Sequence, residues 1–282
     1  MTIAYPAILD LATQEERIAW TDQKSLLYAL GIGLGADPMN EKELPFVYEN
    51  GLKAVPTFAT VLAPPIQLLA RSGVNFARVV HGEQFVELHR TLAPEGEALA
   101  SSRVAAVYDK GADKGAILII ETALKEASGQ PLVTLRSSVF ARGDGGFGGP
   151  SDGESPPHKV PERSPDLSLD VATRPDQALL YRLSGDRNPL HADPSFAKMV
   201  GFPRPILHGL CTYGITCRAV MQAYTDFDPA PIRRHQARFS APVFPGETIT
   251  VDLWRDGDQV SFEAHVHARE VIVIRNGKTV LG

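Results

Sequence analysis

Between Gly209 and Tyr224, Leu210, Tyr213, Cys217, Val220 and Met221 recur at intervals of three and four, with Ile215 beside them and no proline among them. That period predicts a long, largely buried helix. Ahead of it, Asp193-Pro194 and Gly201 bracket a short helix: an N-capping carboxylate, a proline at the first helical position and a glycine stop. Residues 175–181 open on a proline and continue apolar, which predicts another helical segment. Beyond the long helix the pattern changes to alternation or β-branched runs, predicting strands at 234–240, 248–256, 259–269 and 270–275. Asp256-Gly257-Asp258 and Asn276-Gly277 read as turn signals there. The N-terminal half has a similar grammar, with a helix at 24–34, a strand at 55–63 and a short helical run at 65–72. Strands are expected over 84–92, 103–109, 116–125 and 133–141. The expected fold class is α+β, with antiparallel sheet beside one long helix.

Residues 143–165 read GDGGFGGPSDGESPPHKVPERSP and carry neither period. They predict a linker between an N-terminal unit, 1–142, and a C-terminal unit, 166–282. The glycines do not suggest a phosphate cradle, because proline and serine follow them where a nucleotide loop opens into a helix. Gly96-Glu97 and Gly246-Glu247, each after a proline-containing turn, form a weak echo between the units. Two such units could pair their sheets and cover each other's edges.

The chain's 282 residues suffice for two units. Lys plus Arg is 28 against 33 Asp plus Glu, a net charge of −5, so no broad positive field points to nucleic acid or anionic lipid as a partner. Hydrophobic residues at 44% and charged residues at 22% are the usage of a folded globular protein. The apolar runs fall far short of the ~20 residues of a membrane span. Met1 to Pro6 lacks a secretion signal's layout, so the expected setting is the cytoplasm. Cys211 and Cys217 are the only cysteines, and on a helix they point about 240° apart, so no disulfide is expected.

Candidate chemistry gathers in residues 181–212. Gly185-Asp186 and Asn188-Pro189 are turn formers, so the Asp186 carboxylate and the His191 imidazole can face one pocket and hold a water between them. The alternative is that Asp186 caps the turn and His191 is an ordinary loop residue. Gly209 opens the long helix, where unpaired N–H groups and a positive dipole end suit a developing enolate oxygen. It can equally serve close packing.

The run YRLSGDRNPLHADPSFAKMVGFPRPILHGLCTYG over 181–214 resembles the hydratase 2 motif of the MaoC-like (R)-specific enoyl-CoA hydratases, a family that includes the hydratase domain of peroxisomal multifunctional enzyme type 2. RFSAPVFPGE at 238–247, VVHGEQ at 79–84, VYDKG at 107–111 and RGDGGFGG at 142–149 extend the likeness to its two-part type. The resemblance implies a double hot-dog fold, each half a sheet wrapped around a central helix. The first helix would be degenerate, matching the short run at 65–72, and would leave room for bulky acyl chains. It implies reversible hydration of a trans-2-enoyl-CoA to the (3R)-3-hydroxyacyl-CoA by Asp186 and His191, with Asn188 orienting the water and the Gly209 amide as oxyanion donor. His81, Gly82, Lys110 and Phe239, with Arg187, Pro189 and Leu190 of the motif, would touch coenzyme A or the acyl thioester. Lys114 is a rival of Lys110 for a phosphate. Coenzyme A would arrive as part of the substrate, without metal or other cofactor, and a homodimer is expected. Alternatives are a biosynthetic 3-hydroxyacyl-thioester dehydratase, a non-catalytic acyl-CoA-binding protein and a hot-dog thioesterase. His265 and His267 alternate on a strand without a third ligand, so no zinc site is expected there. Asp252 and Asp256 are expected to be solvated, and Arg233-Arg234 to be a surface pair.

Overall fold

The computed structural model describes residues 3–75, 78–153 and 156–282. Among these residues, ten strands form one antiparallel sheet in the order β1-β3-β4-β5-β2-β7-β10-β9-β8-β6. They are β1 (Glu16–Trp20), β2 (Val79–Leu88), β3 (Gly96–Asp109), β4 (Ala116–Lys125), β5 (Pro131–Ala141), β6 (Leu167–Ala172), β7 (Ile232–Phe239), β8 (Thr248–Asp256), β9 (Gln259–Val266) and β10 (Val271–Leu281). The first five come from the N-terminal half and the last five from the C-terminal half. They meet at one seam, where β2 pairs β7 from Glu83 opposite Arg238 to Glu87 opposite Arg234. Among the described residues, six α-helices accompany the sheet: α1 (Asp22–Gly31), α2 (Leu44–Val47), α3 (Ile66–Arg71), α4 (Gln177–Tyr181), α5 (Pro194–Met199) and α6 (Gly209–Tyr224). This is the double hot-dog architecture, with α6 as its one long helix.

The pattern explains the layers. β4 alternates strictly: Ala116, Leu118, Ile120, Thr122 and Leu124 are buried while the residues between them are half-exposed, as a sheet covered on one face requires. α6 is buried nearly all round, from Cys211 through Cys217 and again at Ala219, Val220 and Met221. It lies against β6 to β10 and also reaches β2 and the 3-10 turn Pro56–Val61. The core around it therefore draws on both halves, including Tyr28, Phe58, Val86 and Leu124 beside Tyr213, Ile215 and Phe262. A smaller core under α3 holds Ile8, Leu68, Val104, Leu118 and Ile120.

Several expected elements differ. The segment 55–63 is β-branched and aromatic, yet it forms the 3-10 turn Pro56–Val61, whose first five residues are buried. Pro56 sets a helical φ at its first position, Thr60 Oγ1 donates to the Thr57 carbonyl at 2.8 Å, and packing against α6 overrides strand propensity. That turn, rather than the expected run at 65–72, is what the N-terminal half places beside α6. α3, formed from 65–72, packs on β3 instead. Asn276-Gly277 is not a hairpin turn: β10 runs through it as an irregularity between Arg275 and Lys278, with Asn276 at φ 56°. The strand expected to end at 269 stops at Val266, and His267–Arg269 forms a 3-10 turn. β2 starts at Val79 rather than 84, and β3 at Gly96 rather than 103. The edge strands β1 and β6 were not expected. Leu167, Leu169 and Val171 do alternate with polar residues and could have marked β6.

The described residues of 143–165 contain no helix or strand and are fastened to both halves. The Asp109 carboxylate accepts from the Gly111, Gly146 and Gly148 amides at 2.7–2.9 Å, and these bonds hold its pKa down. Asp144 is buried and accepts from the Asn75 amide. On the other side, the His158 carbonyl accepts from Asn276 Nδ2 and the Arg163 carbonyl from the Trp254 indole.

Candidate active site

The segment between α4 and α5 builds the first half of the site. After α4 the 3-10 turn Arg182–Ser184 ends at Gly185, whose φ of 130° admits glycine far more readily than an L side chain. The chain turns there and presents Asp186. Asp186 Oδ1 accepts the Asn188 N–H at 3.0 Å, Asn188 Oδ1 accepts the Leu190 N–H at 3.0 Å, and Pro189 starts the one-turn 3-10 helix ending at His191. These Asx turns convert the spacing of five into a carboxylate facing an imidazole. Asp186 Oδ2 stands 4.0 Å from His191 Nε2, with Asp186 exposed and His191 buried.

The tautomer of His191 follows from its partner. Nδ1 lies 2.8 Å from the Ile206 carbonyl, which can only accept, so Nδ1 carries the proton and Nε2 offers its lone pair toward Asp186. Burial lowers the His191 pKa, opposed by the Ile206 bond and the Asp186 charge, so the ring is held neutral. Two acceptors 4.0 Å apart suit one water that donates a hydrogen to each.

The second half comes from the approach to α6. Ile206 N–H donates to the Leu190 carbonyl at 3.3 Å and Leu207 N–H to the Val243 carbonyl at 2.7 Å, which fixes residues 206 and 207 beside the Asp186–His191 turn. His208 is the N-cap residue and Gly209 the first residue of the helix, so the Gly209 amide is one of the unpaired donors of its first turn. A Cβ on Gly209 would lie 3.3 Å from the Phe239 ring, so glycine permits this close approach. Phe239 in turn packs on His81, ring centroids 4.9 Å apart, and the field of Asp186 reaches His81.

Of the predicted residues, Asp186, His191, Gly209, Phe239 and His81 thus come together. His81 Nε2 is 3.1 Å from the Glu83 carbonyl, and burial lowers its pKa to about 4. Gly82 sits in the irregularity of β2 between His81 and Glu83, where a Cβ would come within 2.6 Å of Ser138 Oγ. Asn188 uses its side-chain oxygen as a cap, and Arg187 and Pro189 are exposed beside it. Leu190 is half-buried and contributes its carbonyl to Ile206. Lys110 stands apart from that group: its Nζ donates to the Ser151 carbonyl at 2.5 Å and lies 5.5 Å over the Tyr108 ring. It follows the last residue of β3, which pairs through β4 and β5 to the His81 end of β2. Lys114 is exposed in the same turn.

Sequence reasoning missed His208, which lies within the 181–214 run just ahead of Gly209. Its ring stacks on His191 with centroids 3.6 Å apart, and its Nε2 lies 3.1 Å from the Asp186 carbonyl. Asp186, His191 and His208 bring ligand-type atoms within 4.8 Å of one another. The His191 and His208 rings are stacked face to face, with planes 25° from parallel.

The remaining candidates resolve simply. His265 and His267 stack with centroids 5.6 Å apart, and His265 Nε2 faces Asp252 Oδ2 at 3.2 Å. Asp252 is therefore not simply solvated: it also accepts from Ser168 Oγ. Asp256 meets Arg163, and Arg234 meets Glu87 across the β2–β7 seam. Both cysteines are free and buried; burial raises the Cys211 thiol pKa and pushes Cys217 up to about 12.

Comparison with known proteins identifies the family. Residues 157–276 match the MaoC like domain and residues 19–143 the MFE-2 hydratase 2 N-terminal domain. The chain is 41% identical to Enoyl-CoA hydratase ChsH3 of Mycobacterium tuberculosis, over 96% of this chain and 98% of that protein. It is 41% identical to 3-hydroxyacyl-thioester dehydratase Y of the same organism, over 89% and 87%. The structure of full-length peroxisomal multifunctional enzyme type 2 from Drosophila melanogaster superposes with a TM-score of 0.84 at 37% identity, over 96% of this chain and 48% of that one. This chain thus spans about half of that larger protein. With both halves matched and full-length likeness above 40%, the chain belongs to the MaoC-like family, in its two-part hydratase 2 form.

Proposed function

We propose that the protein catalyses the reversible addition of water to a trans-2-enoyl-CoA, giving the (3R)-3-hydroxyacyl-CoA. The observation that carries this reading is the neutral His191 Nε2 set 4.0 Å from Asp186 Oδ2, beside the free amide end of α6. A water between the pair loses a proton as its oxygen attacks Cβ. Electron density moves to the thioester oxygen, where the Gly209 N–H and the helix dipole stabilise the enolate, and a proton returns to Cα from the pair on the same face. Asn188 orients the water, and His81, Gly82, Phe239, Arg187, Pro189 and Leu190 line the path of the thioester. Lys110 meets a phosphate of coenzyme A after releasing Ser151. The reaction needs no other cofactor.

The test is loss of enoyl-thioester absorbance with crotonyl-CoA and a longer analogue, with the product's chirality assigned. A (3S) product or no turnover overturns the reading. The likeness to a protein named as a dehydratase favours a second reading, the same chemistry run toward the enoyl thioester. Comparing CoA with carrier-protein thioesters of a 3-hydroxyacyl group separates the two. We take residues 1–142 and 166–282 as the units, 143–165 as their linker, the assembly as a homodimer and the cytoplasm as the location. The Drosophila relative is named as a peroxisomal enzyme, so cell fractionation decides the last point, and sedimentation decides the assembly.

A further inference from the structure

His208 is 1% exposed and immediately precedes the Gly209 amide. Because the Asp186 carbonyl can only accept, His208 Nε2 must carry the proton of their 3.1 Å contact, which leaves Nδ1 as an acceptor. That Nδ1 is buried and has no hydrogen-bond partner among the described residues. A buried polar ring with one nitrogen unsatisfied is costly, and an apolar side chain would avoid the cost. The ring nonetheless packs face to face with His191 and within 5.0 Å of the Tyr181 ring. Asp186 itself is exposed, on a turn outside any helix or strand, and among the described residues the hydrogen bond to its carboxylate comes from the Asn188 amide.

We propose that His208 is a positioning residue. Its Nε2–H bond to the Asp186 carbonyl and its face-to-face contact with His191 tie both members of the water-holding pair to the rigid start of α6. The distance from that pair to the oxyanion donor is then set by one side chain adjoining the donor. This inference rests on the hydration reading for its kinetic consequences, though not for its structural ones.

Three substitutions test it. His208→Gln keeps an N–H where Nε2 stands, His208→Phe keeps the ring and loses the donor, and His208→Leu loses both. The Phe and Leu variants should lower kcat by about 10²-fold, with KM for crotonyl-CoA changed by no more than about twofold. The Gln variant should recover to within about tenfold of the parent. Rates are referred to the folded fraction, and if the Phe variant does not fold, the Leu variant is read in its place. Equal loss in Gln and Phe, or an unchanged kcat in Phe, overturns the proposal. Crystal structures of the variants give a readout without substrate: Asp186 keeps its place relative to His191 Nε2 in the Gln variant and moves away in the Phe variant. If the parent protein hydrates no enoyl-CoA, the functional reading fails while that comparison still decides the role of His208.

Discussion

At the scale of single residues, the site joins groups of opposite exposure. Asp186 is open to water, so removing its charge should affect rate more than stability, whereas removing the buried His191 ring also strands the Ile206 carbonyl and should cost stability as well. Asp186→Asn and His191→Ala are expected to lower kcat for crotonyl-CoA by about 10²–10⁴-fold per folded molecule, with the thermal midpoint near the parent's for Asp186→Asn and lowered for His191→Ala. The pH dependence follows from His191, which the proposed reaction uses as a neutral base and whose pKa burial lowers. The acid limb of kcat/KM should therefore lie below the ordinary histidine value of 6.5, and a limb above 6.5 would contradict the assignment. Much of this was visible in the sequence, because Gly185, Asp186, Asn188 and Pro189 are turn formers whose local bonds impose the geometry. The role of Ile206 was not, since the bond that selects the His191 tautomer spans fifteen residues. His208 was invisible for a similar reason: nothing local distinguishes a helix-capping histidine from one that reaches back 22 residues to a carbonyl.

At the scale of elements, α6 was legible end to end because its apolar period is unbroken and its burial is nearly complete. The 3-10 turn Pro56–Val61 was not, because packing against α6 decides a conformation that its side chains alone leave open. β1 and β6 close the two ends of the sheet and are short and largely exposed, which suits edges but gives weak signals. α6 also carries an anchor that its pattern does not advertise. Arg218 Nη2 meets Glu43 Oε1 at 2.6 Å, Nη1 donates to the Gly33 carbonyl, and Glu43 Oε2 accepts the Gly35 amide. The Glu43 side chain is only 2% exposed, so Glu43→Ala strands a largely buried guanidinium. A loss of about 3–5 kcal/mol is expected in urea unfolding, larger than for Arg17→Ala on the exposed Arg17–Glu97 pair.

At the scale of the whole molecule, the two halves share one sheet and one core. Residues 166–282 expressed alone would expose the edge of β7 and the side of α6 that meets Phe58 and its neighbours. They are expected to aggregate, and co-expression with 1–165 should restore a soluble complex, checked by size-exclusion chromatography. Acid weakens the whole fold in a definite window. Burial lowers His235 and His208 to about 3 and His81 to about 4, against 6.5 in the unfolded chain. Below pH 6.5 the unfolded chain therefore takes up protons that the native state refuses. Stability falls as pH drops from 6.5 toward 3, by up to about 1.4 kcal/mol per pH unit for each histidine, and urea titrations across that range should show it. The strap between the halves leads to a different expectation. Because the Asp109 and Asn276 contacts secure it on either side of the exposed Ser151 to Gly153, a protease nick in that stretch should be silent under native conditions. The two fragments would migrate together with activity intact and separate only in denaturant, so backbone continuity there serves assembly of the fold rather than its upkeep.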